Sequence, residues 1–313
     1  MEAGPDSSLH VAFFSGGEGQ PGCSIAYCRL SPGGAAFTPC RVVSSRPAFS
    51  AQNPVLFYDT PARALRLFHT SQGTGPGGGE NTSAIWTLES GDLGTTWSPP
   101  APFFTVPGAF TRNKVVVRAD GSNLLPCYYS VQGTDSSFML ASNPARTAWA
   151  PLPMPSTGDL IQPTVVRPDP ARPAVLRAWL RDEDAIAIYT AVSLDEGGTW
   201  SLPQRTALPN NNAGIAAATL SSGAIVMAYN NHSGTDLPRS PLVVSLSEDG
   251  GLSWPFTRVL AVHDENATSV GEYSYPSATQ MPSGEVVVSY TYDRQTIVVR
   301  LFNESWVRQA GAQ

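Results

Sequence analysis

The sequence predicts an all-β protein, a six-bladed β-propeller, and three observations carry that expectation. An eight-residue box occurs three times, as Ser90-Gly91-Asp92-Leu93-Gly94-Thr95-Thr96-Trp97, Ser193-Leu194-Asp195-Glu196-Gly197-Gly198-Thr199-Trp200 and Ser247-Glu248-Asp249-Gly250-Gly251-Leu252-Ser253-Trp254. The tryptophans Trp97, Trp149, Trp200, Trp254 and Trp306 recur at intervals of 52, 51, 54 and 52 residues, and Phe37 can head the series. Finally, 28 Gly and 28 Pro punctuate short runs of apolar and β-branched residues, the pattern of many short strands joined by tight turns. A repeat of this length holds four short strands and their turns, and radial repetition of such units is a propeller.

The strands follow in order. Residues 55–58, 65–69 and 84–87 read as one triplet, and 115–118, 124–129 and 138–141 as the next. Later units read the same way, with 176–180 and, at the end, 285–292 and 296–302. The expected layout is a disordered tail over residues 1–9 and a single propeller domain over 10–313. A latch is expected between residues 11–14 and 296–302, so that the first and last repeats share a sheet.

The box has a local physical reason. An Asp side chain accepts backbone N–H bonds within its own turn, the Gly permits positive φ, and the Trp packs between sheets. Asp92, Asp195 and Asp249 are therefore read as structural. A degenerate copy runs from Ser142 to Trp149 without the Asp and Gly.

Composition narrows the function. With 42% hydrophobic and 14% charged residues, the chain can build a substantial core. A net charge of −6 argues against nucleic-acid binding, which needs a basic footprint. No apolar run reaches the length of a membrane span, and residues 1–6 lack the regions of a signal peptide. The compartment stays open, and a soluble monomer is expected. Cys23, Cys28, Cys40 and Cys127 fit no zinc spacing, so no metal or cofactor is called for. Buried thiols are favoured over a hairpin-crossing Cys28–Cys40 disulfide. Sequons stand at Asn81, Asn231, Asn266 and Asn303. The run Gly73–Gly79 is a loop and not a phosphate cradle, for it does not join a strand to a helix and lacks the Gly-Lys-Thr signature.

These boxes resemble the Asp-boxes, or BNR repeats, of the sialidase superfamily. The likeness extends to Gly271-Glu272-Tyr273-Ser274-Tyr275-Pro276, Met281-Pro282-Ser283-Gly284 and Val288-Ser289-Tyr290-Thr291-Tyr292, which look like the segment of the nucleophilic tyrosine. Further similar stretches are Leu208-Pro209-Asn210-Asn211-Asn212-Ala213-Gly214, Val226-Met227-Ala228-Tyr229-Asn230, Ile161-Gln162-Pro163-Thr164 and Arg112-Asn113-Lys114, which resemble a bacterial and plant branch of sialidase-like proteins.

The resemblance implies a retaining exo-glycosidase with Tyr275 as nucleophile and arginines binding the substrate carboxylate. Guanidinium forks suit carboxylates, and a neutral phenol is the better attacker on an anionic sugar. Arg181 and Arg239 fall at the second and third arginine positions, while Gln52, beside Asn53, stands where the first is expected. Gln162 and Thr291 stand at glutamate positions, and no Asp in residues 69–80 matches the acid/base. Arg112 and Arg294 are candidates to complete the cationic pocket. Glu272 is a candidate to polarise Tyr275, and Glu80 or His69 to act as acid/base. The implied partner is a glycan or acidic monosaccharide. Two alternatives remain: a uronate-directed hydrolase or lyase on the same scaffold, and a non-catalytic acidic-sugar-binding propeller.

Overall fold

The structure, a computed structural model, describes residues 1–131, 134–236, 238–263 and 271–309. The Asn266 sequon lies outside these residues. Six antiparallel sheets follow one another along the chain. The first holds β1 (Glu2–Ala3), β2 (Leu9–Ser15), β3 (Ser24–Leu30) and β4 (Arg41–Ser44), and the second β5 (Phe49–Asp59), β6 (Ala64–Gly73), β7 (Ala84–Ser90) and β8 (Ala101–Phe104). The third holds β9 (Ala109–Thr111), β10 (Val116–Val117), β11 (Asn123–Val131), β12 (Thr134–Ser142) and β13 (Trp149–Pro153), with β9 and β10 both pairing β11. The fourth holds β14 (Leu160–Val166), β15 (Leu176–Asp182), β16 (Ala187–Ser193) and β17 (Gln204–Pro209). The fifth holds β18 (Ala216–Thr219), β19 (Ile225–Asn230), β20 (Leu242–Ser247) and β21 (Phe256–Ala261). The sixth holds β22 (Tyr273–Gln280), β23 (Val286–Tyr292) and β24 (Thr296–Phe302), and the short helix α1 (Glu304–Arg308) follows it.

The chain divides into two compact units. The first comprises Met1–Val115 with Cys127–Asp135, the second Val116–Pro126 with Ser136–Gln313. In the first unit Ile25, Tyr27, Leu56, Leu65, Leu67 and Leu88 form a core against which Trp97 packs. In the second, Leu124, Met139, Leu160, Leu176, Leu180 and Trp200 form one layer, and Trp179, Ile188, Ile215, Met227 and Tyr229 another with Trp254 against it. Full burial of each such side chain stabilises by roughly 1.5–3 kcal/mol.

The boxes are built alike. In the first, the Ser90 hydroxyl and the Thr96 N–H both donate to Asp92 Oδ1 at 2.8 Å, and the Thr96 hydroxyl donates to Oδ2 at 2.6 Å. Asp195 and Asp249 repeat the pattern with Thr199 and Ser253. Donation by Thr96 holds the Asp92 carboxyl down at about 2. The box glycine has φ of +83°, +84° and +85° at Gly94, Gly197 and Gly251. A methyl added there would come within 1.9 Å of Tyr27, 2.5 Å of Leu124 and 2.3 Å of Trp179 respectively. Each box is thus pressed onto the second or third strand of the preceding sheet. In the degenerate copy Asn143 takes over, its Oδ1 accepting from Thr147 N at 2.9 Å.

Three expectations are corrected. Residues 1–9 contain β1 and the start of β2, and Met1 is buried. The latch does not form, since β2 pairs with β1 and β3, and β24 pairs with β23. A local hairpin closes a far shorter loop than one spanning the chain, at lower entropic cost. Trp306, the last of the tryptophan series, lies in α1, which Asn303 caps, and packs on Phe302 and Arg258. Cys28 and Cys40 form a disulfide, because the pairing of Tyr27 with Arg41 brings their Cα atoms to 4.5 Å, while Cys23 and Cys127 are buried thiols.

Candidate active site

At the start of the first long strand of three sheets, the residue before a proline adopts φ near +50°. These are Asn53, Gln162 and Tyr275, ahead of Pro54, Pro163 and Pro276; Asn212, ahead of Ala213, does the same. The pairing register slips at each proline site, between Gln52 and Val55, Ile161 and Thr164, and Ser274 and Ser277. A side chain with positive φ costs on the order of 1–3 kcal/mol, and a bulge re-aims the side chain it carries.

In the second unit this device assembles a polar cluster. Ile161 pairs with Arg181, the last residue but one of β15, which is 8% exposed. Arg181 Nε donates to Asn212 Oδ1 at 2.8 Å, and Arg239 Nη2 donates to the Asn212 carbonyl at 3.2 Å. The Arg239 guanidinium lies 5.2 Å from the Tyr275 ring centroid, within cation–π range. Its Nη1 is 3.8 Å from Glu272 Oε1 and is buried without a hydrogen-bond partner among the described residues. Arg294, at φ +54° in the β23–β24 turn, donates through Nε to Glu272 Oε1 at 2.7 Å. The Ser274 hydroxyl donates to the same oxygen at 3.1 Å. Asn230 fixes the backbone by donating to the carbonyls of Arg239 and Tyr273, at 2.7 and 3.0 Å. Gln162 is buried on β14, next to Ile161.

The first unit holds the remaining candidates. Gln52 donates to the Ser50 hydroxyl at 2.9 Å, and Asn53 donates to the Tyr128 hydroxyl at 3.2 Å. Arg112 follows β9 directly. His69 is fully buried; its Nδ1–H donates to the Thr70 carbonyl at 3.0 Å, and its Nε2 accepts from the Ser44 hydroxyl at 2.9 Å. Burial pushes this imidazole down to about 4. Glu80 opens a 3₁₀ turn (Glu80–Thr82) where the glycine loop folds back, Gly79 N–H donating to the Gly73 carbonyl. Glu80 Oε2 lies 2.7 Å from the Ser130 hydroxyl, and Asp135 Oδ2 lies 3.2 Å from it. One hydroxyl proton serves one of these carboxylates at a time.

Sequence reasoning missed Asn212, Ser274, Asn230 and Asp135 as contacts of these groups. The run Asn210-Asn211-Asn212 was the available signal, because asparagine tolerates positive φ. No group of His, Cys, Asp and Glu suited to a metal is found among the described residues, and no described helix is long and apolar enough to cross a membrane.

The chain is similar in structure to the Hadza microbial sialidase Hz136, with TM-score 0.82 and 18% identity over 97% of this chain, and spans 65% of that one. It is similar to the intramolecular trans-sialidase from Ruminococcus gnavus, solved with oseltamivir carboxylate, with TM-score 0.75 and 13% identity over 97% of this chain and 94% of that one. A protein of unknown function from Dyadobacter fermentans matches with TM-score 0.70 and 16% identity, over 92% and 88%. Likeness at these identities shows the fold alone, an all-β six-bladed β-propeller. No curated protein matches the chain in sequence. Residues 7–288 match the BNR repeat-like domain, and the chain therefore belongs to that family.

Proposed function

We propose that this protein is a sialidase-type glycosidase that removes a terminal sialic acid or related acidic sugar with retention. The observation that carries the reading is the continuous set Arg181–Asn212–Arg239–Tyr275, with Glu272 joining Arg239 to Arg294. A substrate carboxylate entering here meets guanidinium forks whose present acceptors are an amide oxygen, a carbonyl and one shared carboxylate oxygen. The unmet Nη1–H of Arg239 is a donor already desolvated for it. The same guanidinium lies within cation–π range of the Tyr275 ring, so electrostatics there stabilise negative charge developing on the phenol oxygen as it attacks the anomeric carbon. Glu272 is the carboxylate of this network, bonded to Arg294 and Ser274, and Glu272→Gln asks whether it receives the phenol proton. Departure of the aglycone requires a proton donor.

The test is turnover of aryl glycosides of sialic acid and related nonulosonates. Turnover by wild type that vanishes in Tyr275→Phe supports the reading; undiminished turnover in that variant overturns it. One observation favours a second reading, binding without hydrolysis: Glu272 Oε1 is already occupied by Arg294 and Ser274, with Arg239 at 3.8 Å. Calorimetric binding of sialic acid without turnover on any of these glycosides would select it. A uronate lyase would instead release product absorbing in the ultraviolet.

A further inference from the structure

At the opposite end of β15 from Arg181, a cleft of about 530 Å³ opens in the second unit, a volume ordinary for a small-molecule site. Its walls are the β14–β15 connection around Asp169 and Arg172, the Ser222–Gly223 turn between β18 and β19, the third box at Glu248–Leu252, and Arg308 of α1. Arg177, near the start of β15, also lines it. Arg177 and Arg181 are four residues apart on one strand, about 13 Å along it, so the two sites are separate.

The charges in this cleft are unevenly met. Arg172 is paired with Asp169 at 3.0 Å, and Arg308 with Glu248 at 2.9 Å and Glu304 at 2.7 Å. The Asp249 carboxylate is spent on its own turn, accepting from the Ser247 hydroxyl, Leu252 N, Ser253 N and the Ser253 hydroxyl at 2.6–2.9 Å. Arg177 feels Asp249 only through space, and its Nε is buried with no hydrogen-bond partner among the described residues. A buried charged donor without an acceptor is a standing energetic cost, relieved by whatever supplies an oxygen. The strand holds the guanidinium where it is, because Trp179, two residues on, is clamped beneath Gly251 of the same box. We propose that this cleft is a second anion site, in which Arg177 binds the carboxylate, sulfate or phosphate group of a small molecule.

The experiment is calorimetric titration with inorganic sulfate, and separately with phosphate and acetate, at constant ionic strength. It is run in an Arg239→Gln background, so that the candidate active site does not contribute. Saturable binding is expected, weakened at least tenfold by Arg177→Gln and less by Arg177→Lys, which keeps the charge and loses the fork. The order of the three oxyanions identifies which group the site takes. Should Arg177→Gln fail to fold, Ser222→Asp, on the exposed turn at the rim, is expected to weaken binding by placing a carboxylate beside the anion. The proposal is overturned if no titration saturates, which leaves the cleft to water, or if binding is indifferent to both the Arg177 and the Ser222 changes.

Discussion

The two ends of the blades use the same uncommon backbone conformation for opposite purposes. At the box end, positive φ falls on consecutive pairs whose second member is glycine, Leu93-Gly94, Glu196-Gly197 and Gly250-Gly251, and each Asp is saturated by donors of its own turn. At the third box a neighbouring strand adds Arg177, whose buried Nε has no hydrogen-bond partner among the described residues. At the bulged end, positive φ falls on Asn53, Gln162, Asn212 and Tyr275, where backbone strain re-aims the side chain. Polar groups there bond between elements and not within a turn, as Arg181 does to Asn212 and Arg294 to Glu272. A repeated fold thus separates stability from chemistry along the length of its strands.

The largest test of that separation is Tyr275→Phe. Under the proposed mechanism it lowers kcat by on the order of 10³-fold or more, because the nucleophile is gone and the ring contact with Arg239 remains. Thermal unfolding should coincide with wild type. A variant that keeps its activity, or that loses activity only by unfolding, breaks the comparison.

Gly251→Ala is the counterpart at the box end. The added methyl meets Trp179 at 2.3 Å in a backbone already at φ +85°, so strain and overpacking add to roughly 2–4 kcal/mol of lost stability. Gly223→Ala, at φ +89° with nothing within 4 Å, should cost only the backbone share, about 1 kcal/mol. Chemical denaturation of the pair separates the two contributions, and kcat of the folded fraction should match wild type in both.

One buried histidine marks each end, and both sharpen the comparison through pH. Burial pushes His69, beside the bulge at Gln52, down to about 4, and does the same to His10, which meets the Tyr27 hydroxyl behind the first box. Each binds its proton less readily folded than unfolded, so stability is full above about 6.5 and falls as pH drops from there to about 4. The loss by pH 4 is about 3 kcal/mol per histidine. His10→Gln and His69→Gln should each flatten part of that slope in denaturant midpoints taken from pH 7 to pH 4. An unchanged slope in both would show that neither end depends on a neutral imidazole.

The box end was legible from sequence because its bonds are local. Ser90, Asp92 and Thr96 satisfy one another within seven residues, so composition and spacing carry the structure. Arg181, Arg239 and Tyr275 could be placed in the chain by the family resemblance, but the meeting of the two arginines through Asn212 is a tertiary fact with no local pattern. Glu272 illustrates the limit: its proximity to Tyr275 in sequence suggested a partner for the phenol, and its bonds go to Arg294 and Ser274. The latch was misjudged for the same reason, since strand propensity says which residues are extended and not which edge they join.

The smallest expected effect is the most selective one. Asn212 serves twice, its Oδ1 accepting from Arg181 and its carbonyl accepting from Arg239, while its φ of +53° makes replacement by most residues costly. Asn212→Gly keeps the backbone conformation at no steric cost and deletes only the bond to Arg181. Stability should move by no more than about 1 kcal/mol. Arg181 would lose its orientation toward the carboxylate, raising KM about tenfold with kcat nearly unchanged, the pattern for lost binding common to ground and transition states. A fall in kcat at constant KM would instead mean that Asn212 acts on Arg239 and the charge at Tyr275, and would move the bridge from the binding half of the site into its chemistry.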